Sequence, residues 1–140
     1  MNIFIHTDGG SRGNPGRAGA GAVVSDKSGA ILRSGKKYLG VMTNNEAEYE
    51  AVLLGLHLAK NLIPKAKRKE CQVEVLLDSE LAARQLSGIY QVKEPRLFPY
   101  FIAVSNLRIS DFPKLSFRHI PREKNKEADA LANLAMDEGS

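Results

Sequence analysis

The chain has 140 residues and a mass of 15.3 kDa, the size of one domain, and a fold of that length is expected to bury about 68% of the surface its unfolded chain exposes. With 43% hydrophobic and 26% charged residues it lies outside the composition of disordered chains, and no run of about 18 apolar residues offers a membrane span. Lys and Arg outnumber Asp and Glu by 20 to 16, a net +4 with a pI near 9.3, which points modestly toward polyanionic partners.

Residues 2–8 alternate Ile3 and Ile5 with polar neighbours and predict a strand that ends in the carboxylate of Asp8. Residues 9–16, Gly-Gly-Ser-Arg-Gly-Asn-Pro-Gly, are nearly all turn formers, so the backbone there is expected to bend sharply or to approach something closely. Residues 18–25 and 30–39 read as two further strands around a hairpin turn at 26–29. Thr43 and Glu46 form a capping box, which predicts a helix over about 46–61 with Ala47, Ala51, Leu54 and Leu58 on its apolar face and Glu48 in its first turn. Residues 72–77 return to the sheet and end in Asp78, and Ser79 caps a helix over 80–86 that Gly88 stops. Pro95 starts a further helix carrying Leu97, Phe101, Val104 and Leu107, residues 115–120 form a fifth strand, and 124–136 a closing helix with Ala128, Leu131, Ala132 and Ala135 on one face. The order βββαβααβα predicts a single α/β domain over 1–140, three antiparallel strands followed by crossovers into a five-stranded mixed sheet flanked by helices.

Cys71 is the single cysteine, which excludes an intrachain disulfide framework, suits a reducing compartment and is expected to serve as core. No basic segment followed by a long apolar one opens the sequence, so a cytoplasmic location without membrane contact is expected. Asp8 and Asp78 close two strands, and they become neighbours if those strands pair. Carboxylates brought within a few ångströms repel unless cations neutralise them, and hard divalent ions such as Mg²⁺ take oxygen ligands.

The blocks Thr7-Asp8-Gly9-Gly10-Ser11-Arg12-Gly13-Asn14-Pro15-Gly16, Thr43-Asn44-Asn45-Glu46-Ala47-Glu48, Asp78-Ser79 and His119 through Asp129 stand in the order of the motifs of ribonuclease HI. The chain resembles that family from Asn2 to about Met136, most closely its compact archaeal-type and related bacterial members with a Tyr-x-Val-Lys segment, here Tyr90 to Lys93. The resemblance implies a ribonuclease H-like fold and an endonuclease that hydrolyses the RNA strand of RNA/DNA hybrids, leaving 5′-phosphate and 3′-hydroxyl ends. It also implies that two Mg²⁺ ions, or Mn²⁺ in their place, are held by Asp8, Glu48, Asp78 and Asp129, with Asp8 shared between them. Gly9 and Gly10 let the sugar-phosphate chain come close, and Asn14, Asn44 and Asn45 match substrate contacts that sense the 2′-hydroxyl.

His119, ten residues before Asp129, matches a histidine that assists proton transfer or product release. The loop after it departs from the glycine-rich form of better-known members, and Arg122 is the alternative contact to the scissile phosphate. Glu80 stands where many relatives carry a substrate-holding Gln, so that contact is not expected here. A Trp- and Lys-rich basic protrusion is absent, since the chain has no Trp and residues 88–99 are few. Double-stranded RNA is carried as a second substrate, a monomer is the simplest assembly, and the basic run Lys65 to Lys69 reads as a solvated loop. Two other readings are a non-catalytic nucleic-acid-binding module, which the presence of all four carboxylates disfavours, and a structural protein whose acidic residues are surface charge.

Overall fold

The computed structural model describes residues 1–139. Its elements run β1 (Asn2–Gly13), β2 (Gly16–Asp26), β3 (Ile31–Met42), α1 (Asn44–Leu62), α2 (Lys65–Arg68), β4 (Gln72–Leu77), α3 (Glu80–Leu86), a 3-10 turn (Pro95–Leu97), α4 (Phe98–Ser110), β5 (Leu115–His119), a second 3-10 turn (Arg122–Lys124) and α5 (Lys126–Glu138). The five strands form one sheet in the order β3-β2-β1-β4-β5, with β1–β2 and β2–β3 antiparallel and β1–β4 and β4–β5 parallel. This is the predicted mixed sheet. Among the described residues no helix is long and apolar enough to cross a membrane.

The strand alternation decides which face is buried. Odd positions of β1, Ile3, Ile5 and Thr7, point under α1, where they meet Tyr49, Val52, Leu56, Val73, Val75 and Leu77 in the main core. Each such apolar side chain contributes on the order of 1.5–3 kcal/mol on burial. Tyr49 is fully buried, and its hydroxyl donates to Gln85 Oε1 at 2.8 Å, so the core's one large polar handle is satisfied. Phe112 and Leu97 close the same core from the α4 side, and Cys71 is buried within it.

Helix α5 packs on the opposite face of the sheet, with Ala128, Ala132, Ala135 and Met136 turned inward. It lies against bare backbone: a Cβ on Gly21 would overlap the Ala128 carbonyl, and one on Gly19 would reach 2.6 Å from the Ala132 carbonyl. Helix α1 does the same over β1, where a Cβ on Gly9 would overlap the Ala47 carbonyl.

Several sequence expectations are corrected. The first strand does not end at Asp8; it runs on to Gly13, pairing Asp8 with Gly21 and Gly13 with Gly16, and only residues 13–16 turn. Gly13 takes φ +105, and the Asn14–Pro15 bond is cis. Gly9 therefore serves close helix approach within a strand. Helix α1 starts at Asn44, because Thr43 is its N-cap, which puts Glu48 in the second turn. The buried stripe of α1 includes Ala47 and Ala51 but is completed by Tyr49, Val52, Leu56 and Ala59, while Leu54 and Leu58 are half-buried beside Gly35 of β3. Short α2 lies in the predicted loop. The closing helix begins at Lys126, since Arg122–Lys124 form a 3-10 turn and Asn125 breaks the helical path. Pro95 opens a 3-10 turn, and α4 starts at Phe98 with Pro99 in its first turn, where no backbone donor is needed.

Candidate active site

The site arises where β1 outruns its neighbour. The last β1–β4 pair is Thr7 with Leu77, after which the β4 chain leaves the sheet at Asp78 and one edge of β1 stands open. Side chains replace the missing strand. Glu48 Oε1 accepts from the Gly9 amide at 2.7 Å, Asn44 Oδ1 accepts from the Ser11 amide at 2.9 Å, and Asn125 Nδ2 donates to the Thr7 carbonyl at 2.8 Å. Edge backbone groups thus fix the functional side chains, because an unpaired buried amide is costly.

Asp8, Glu48 and Asp78 come together from β1, α1 and the end of β4, with one carboxylate oxygen of each lying within 4.8 Å of the others. They open into a groove of about 480 Å³ that Asp129, Asn44, Asn45, Gly9, Gly10 and Arg122 also line. Burial, together with the charges of Glu48 and Asp78, pushes the Asp8 carboxyl up to about 9. Burial also pushes Glu48 up to about 8, although the Gly9 amide works against the rise.

The donor set fits a divalent cation. Three carboxylates converge, all ligands are hard oxygens, and Glu48 Oε2 is buried with no hydrogen-bond partner. A cation there would satisfy the orphaned oxygen and remove the repulsion that holds protons on Asp8 and Glu48. Asp129, in the first turn of α5, stands outside the three-carboxylate cluster but beside Asp8, and Arg122 Nη2 lies 3.7 Å from its Oδ1.

The substrate residues expected from the motifs divide. Gly9, Gly10, Asn44, Asn45 and Arg122 line the groove. Asn14 does not; its Oδ1 accepts from the Asn44 amide at 3.0 Å and so ties the hairpin to the start of α1. His119 lies outside the groove, exposed at the end of β5 opposite Leu77. Glu80 turns away to pair with Arg84 at 3.1 Å. In the basic run Lys65, Lys67 and Lys69, Arg68 departs from a solvated role, donating to the Ile63 and Lys60 carbonyls and to Asp111.

Sequence reasoning missed Asn125, which is 1% exposed and also places Nδ2 3.3 Å from Asp78 Oδ2, while its carbonyl accepts from the Asp129 amide. Its position four residues before an acidic residue at a helix entry was the available signal. Ser11 and Arg12 of the first motif block, Ser79 of the third, and Asn133 and Met136, which lie in none, complete the lining.

Sheet order and acidic groove together define a ribonuclease H-like domain. A family model described as Reverse transcriptase-like matches residues 6–135. The bifunctional protein Rv2228c of Mycobacterium tuberculosis is 42% identical over 98% of this chain, which spans 36% of that protein. Ribonuclease HI of Halobacterium salinarum is 35% identical over 97% of this chain and 65% of its own length. The chain therefore spans about a third of the first of these relatives and about two thirds of the second. Among solved structures, LC11-RNase H1 in complex with an RNA/DNA hybrid superposes with a TM-score of 0.92 at 46% identity, covering 97% of each chain. The chain belongs to the type 1 ribonuclease H family.

Proposed function

We propose that the protein is a metal-dependent endonuclease that hydrolyses the RNA strand of RNA/DNA hybrids, leaving 5′-phosphate and 3′-hydroxyl ends. The observation that carries this reading is the convergence of Asp8, Glu48 and Asp78, from three separate elements, within 4.8 Å at the floor of an open groove. The hybrid bound by the LC11 relative supports the substrate class.

Asp8, Glu48 and Asp78 would hold one Mg²⁺ or Mn²⁺, and Asp8 with Asp129 a second. When bound, such a pair supplies charge stabilisation for the entering and leaving oxygens of an in-line displacement at phosphorus. The chain's own residues do the rest. Glu48 is oriented by the Gly9 amide and Asp78 by Asn125, so neither carboxylate needs to reorganise on loading. Asn44 and Asn45, held rigidly by the capped start of α1, present amide donors and acceptors that suit a 2′-hydroxyl. Arg122, already in the groove, faces the scissile phosphate, while His119, at the outer end of β5, assists proton transfer or product departure from the rim.

Double-stranded RNA is a second substrate on this reading, because the 2′-hydroxyl displayed in an A-form minor groove is common to both duplexes. Every carboxylate comes from one chain, so a monomer suffices. A reducing cytoplasmic setting suits the free, buried Cys71.

The test is cleavage of end-labelled hybrid, double-stranded RNA and single-stranded RNA with Mg²⁺, Mn²⁺ or EDTA, with Asp8→Asn as control. Metal-dependent cutting of the hybrid's RNA strand, abolished in the variant, is expected; folded protein that cuts no duplex with either metal would overturn the assignment.

A further inference from the structure

Helix α5 ends against the usual electrostatic preference. The last turn of a helix favours cations, because its free carbonyls carry partial negative charge. Yet α5 closes on Asp137 and Glu138, with no basic residue of its own there. The neutralising cations come from the sheet instead. Arg12 Nη2 of β1 pairs with Asp137 Oδ1 at 2.6 Å, Lys36 of β3 pairs with Glu138, and Arg17 of β2 donates to the Met136 carbonyl at 3.0 Å.

Of these three cations, Arg12 alone lines the groove that holds Asp8, Glu48, Asp78 and Asp129. Its own contacts are solvent-exposed. The Arg12 and Asp137 side chains are 47% and 60% exposed, and the further contact to the Asn133 carbonyl is long at 3.5 Å. An ion pair so exposed is nearly neutral for stability and exchanges readily. A guanidinium is also the side chain best shaped to take two phosphate oxygens at once.

We propose that Arg12 is a backbone-phosphate arm of the groove, held in reserve by Asp137. The carboxylate at the end of α5 occupies in the free protein the place that a nucleic-acid phosphate takes in the complex. Asp137 is therefore an internal competitor that weakens binding of the duplex, and Arg12 adds one phosphate contact when it lets go. The identity of the polyanion rests on the nuclease reading above.

The experiment measures KM for an RNA/DNA hybrid between about 50 and 200 mM salt for the parent chain, Arg12→Ala, Asp137→Asn and the double variant. Arg12→Ala is expected to raise KM about tenfold and to flatten the dependence of log KM on log salt by about one. Asp137→Asn is expected to lower KM about threefold in the parent and to change nothing once Arg12 is gone. Thermal unfolding of all four chains checks that the shifts are not losses of fold. A rise in KM on Asp137→Asn, an equal effect with and without Arg12, or an unchanged salt slope in Arg12→Ala overturns the proposal. Should the parent cut no hybrid, the nuclease reading fails by itself. The same comparison of Kd by gel shift then decides the Arg12 claim, with the same pattern upholding it and its absence overturning it.

Discussion

Replacing the Asp8 carboxyl by a neutral amide should stabilise the metal-free protein, by an amount that depends on pH in a defined way. Asp8 titrates near 9 in the folded chain against an ordinary value of 3.8. Between those values the folded state holds a proton that the unfolded state has lost, so stability falls as pH rises and levels off above the folded value. Each pH unit in that window corresponds to at most about 1.4 kcal/mol. Asp8→Asn removes this penalty while keeping shape and hydrogen-bonding capacity. In EDTA the variant should therefore gain on the parent as pH is raised from 5 to 8, with a ceiling of about 4 kcal/mol over that span and about 2 kcal/mol expected once relaxation and partial solvation are allowed for. Urea unfolding followed by circular dichroism at pH 5, 6.5 and 8 reads the difference directly. Millimolar Mg²⁺ should then stabilise the parent more than the variant. A stability difference that stays flat with pH, or a variant less stable than the parent at pH 8 in EDTA, would refute the account of mutually repelling, buried carboxylates.

Other substitutions test the scaffold. Gly9→Ala places a methyl group in the Ala47 carbonyl, and should cost about 3 kcal/mol and weaken divalent-ion binding by pushing Glu48 away from Asp8, as read by thermal unfolding and calorimetry. Thr43→Ala removes the bonds that cap α1 and should cost about 1 kcal/mol by urea titration. Arg68→Met strips Asp111 of its 3.1 Å partner and frees the Ile63 and Lys60 carbonyls, so a loss of about 2 kcal/mol is expected by the same titration, with hybrid cleavage by the remaining folded protein unaffected.

Much of this molecule is legible from its residues, for reasons that differ by element. The capping box at Thr43 and Glu46 encodes its own geometry within four residues, and the structure carries both reciprocal bonds. Alternation in β1 marks Ile3 and Ile5 as core, and the pairing of β1 with β4 brings Asp8 beside Asp78 as expected, although Asp8 lies within β1 and not at its end. The glycine segment is only partly legible, because glycine signals freedom from a side chain without saying what uses that freedom. At Gly13 it is a positive φ, whereas at Gly9 it is the passage of α1 over an extended strand. Asn125 escaped notice because its role depends on Thr7 and Asp78, 118 and 47 residues away, a partnership no local pattern records. The separation of His119 from the groove has the same origin: ten residues fix its distance along the chain from Asp129, while the turn of β5 decides where its side chain goes.

The contacts at Gly9, Gly19 and Gly21 carry a consequence for how this protein can change over time. In an ordinary core, an oversized residue can be rescued by trimming the neighbour it strikes. Here the obstacles are main-chain carbonyls of Ala47, Ala132 and Ala128, which no codon can shorten. Second-site suppressors of substitutions at these glycines should accordingly be almost unobtainable. A saturation screen for activity would find intolerant positions along the seams where α1 and α5 rest on the sheet, at Gly19 and Gly21 as well as at Gly9 beside the carboxylates.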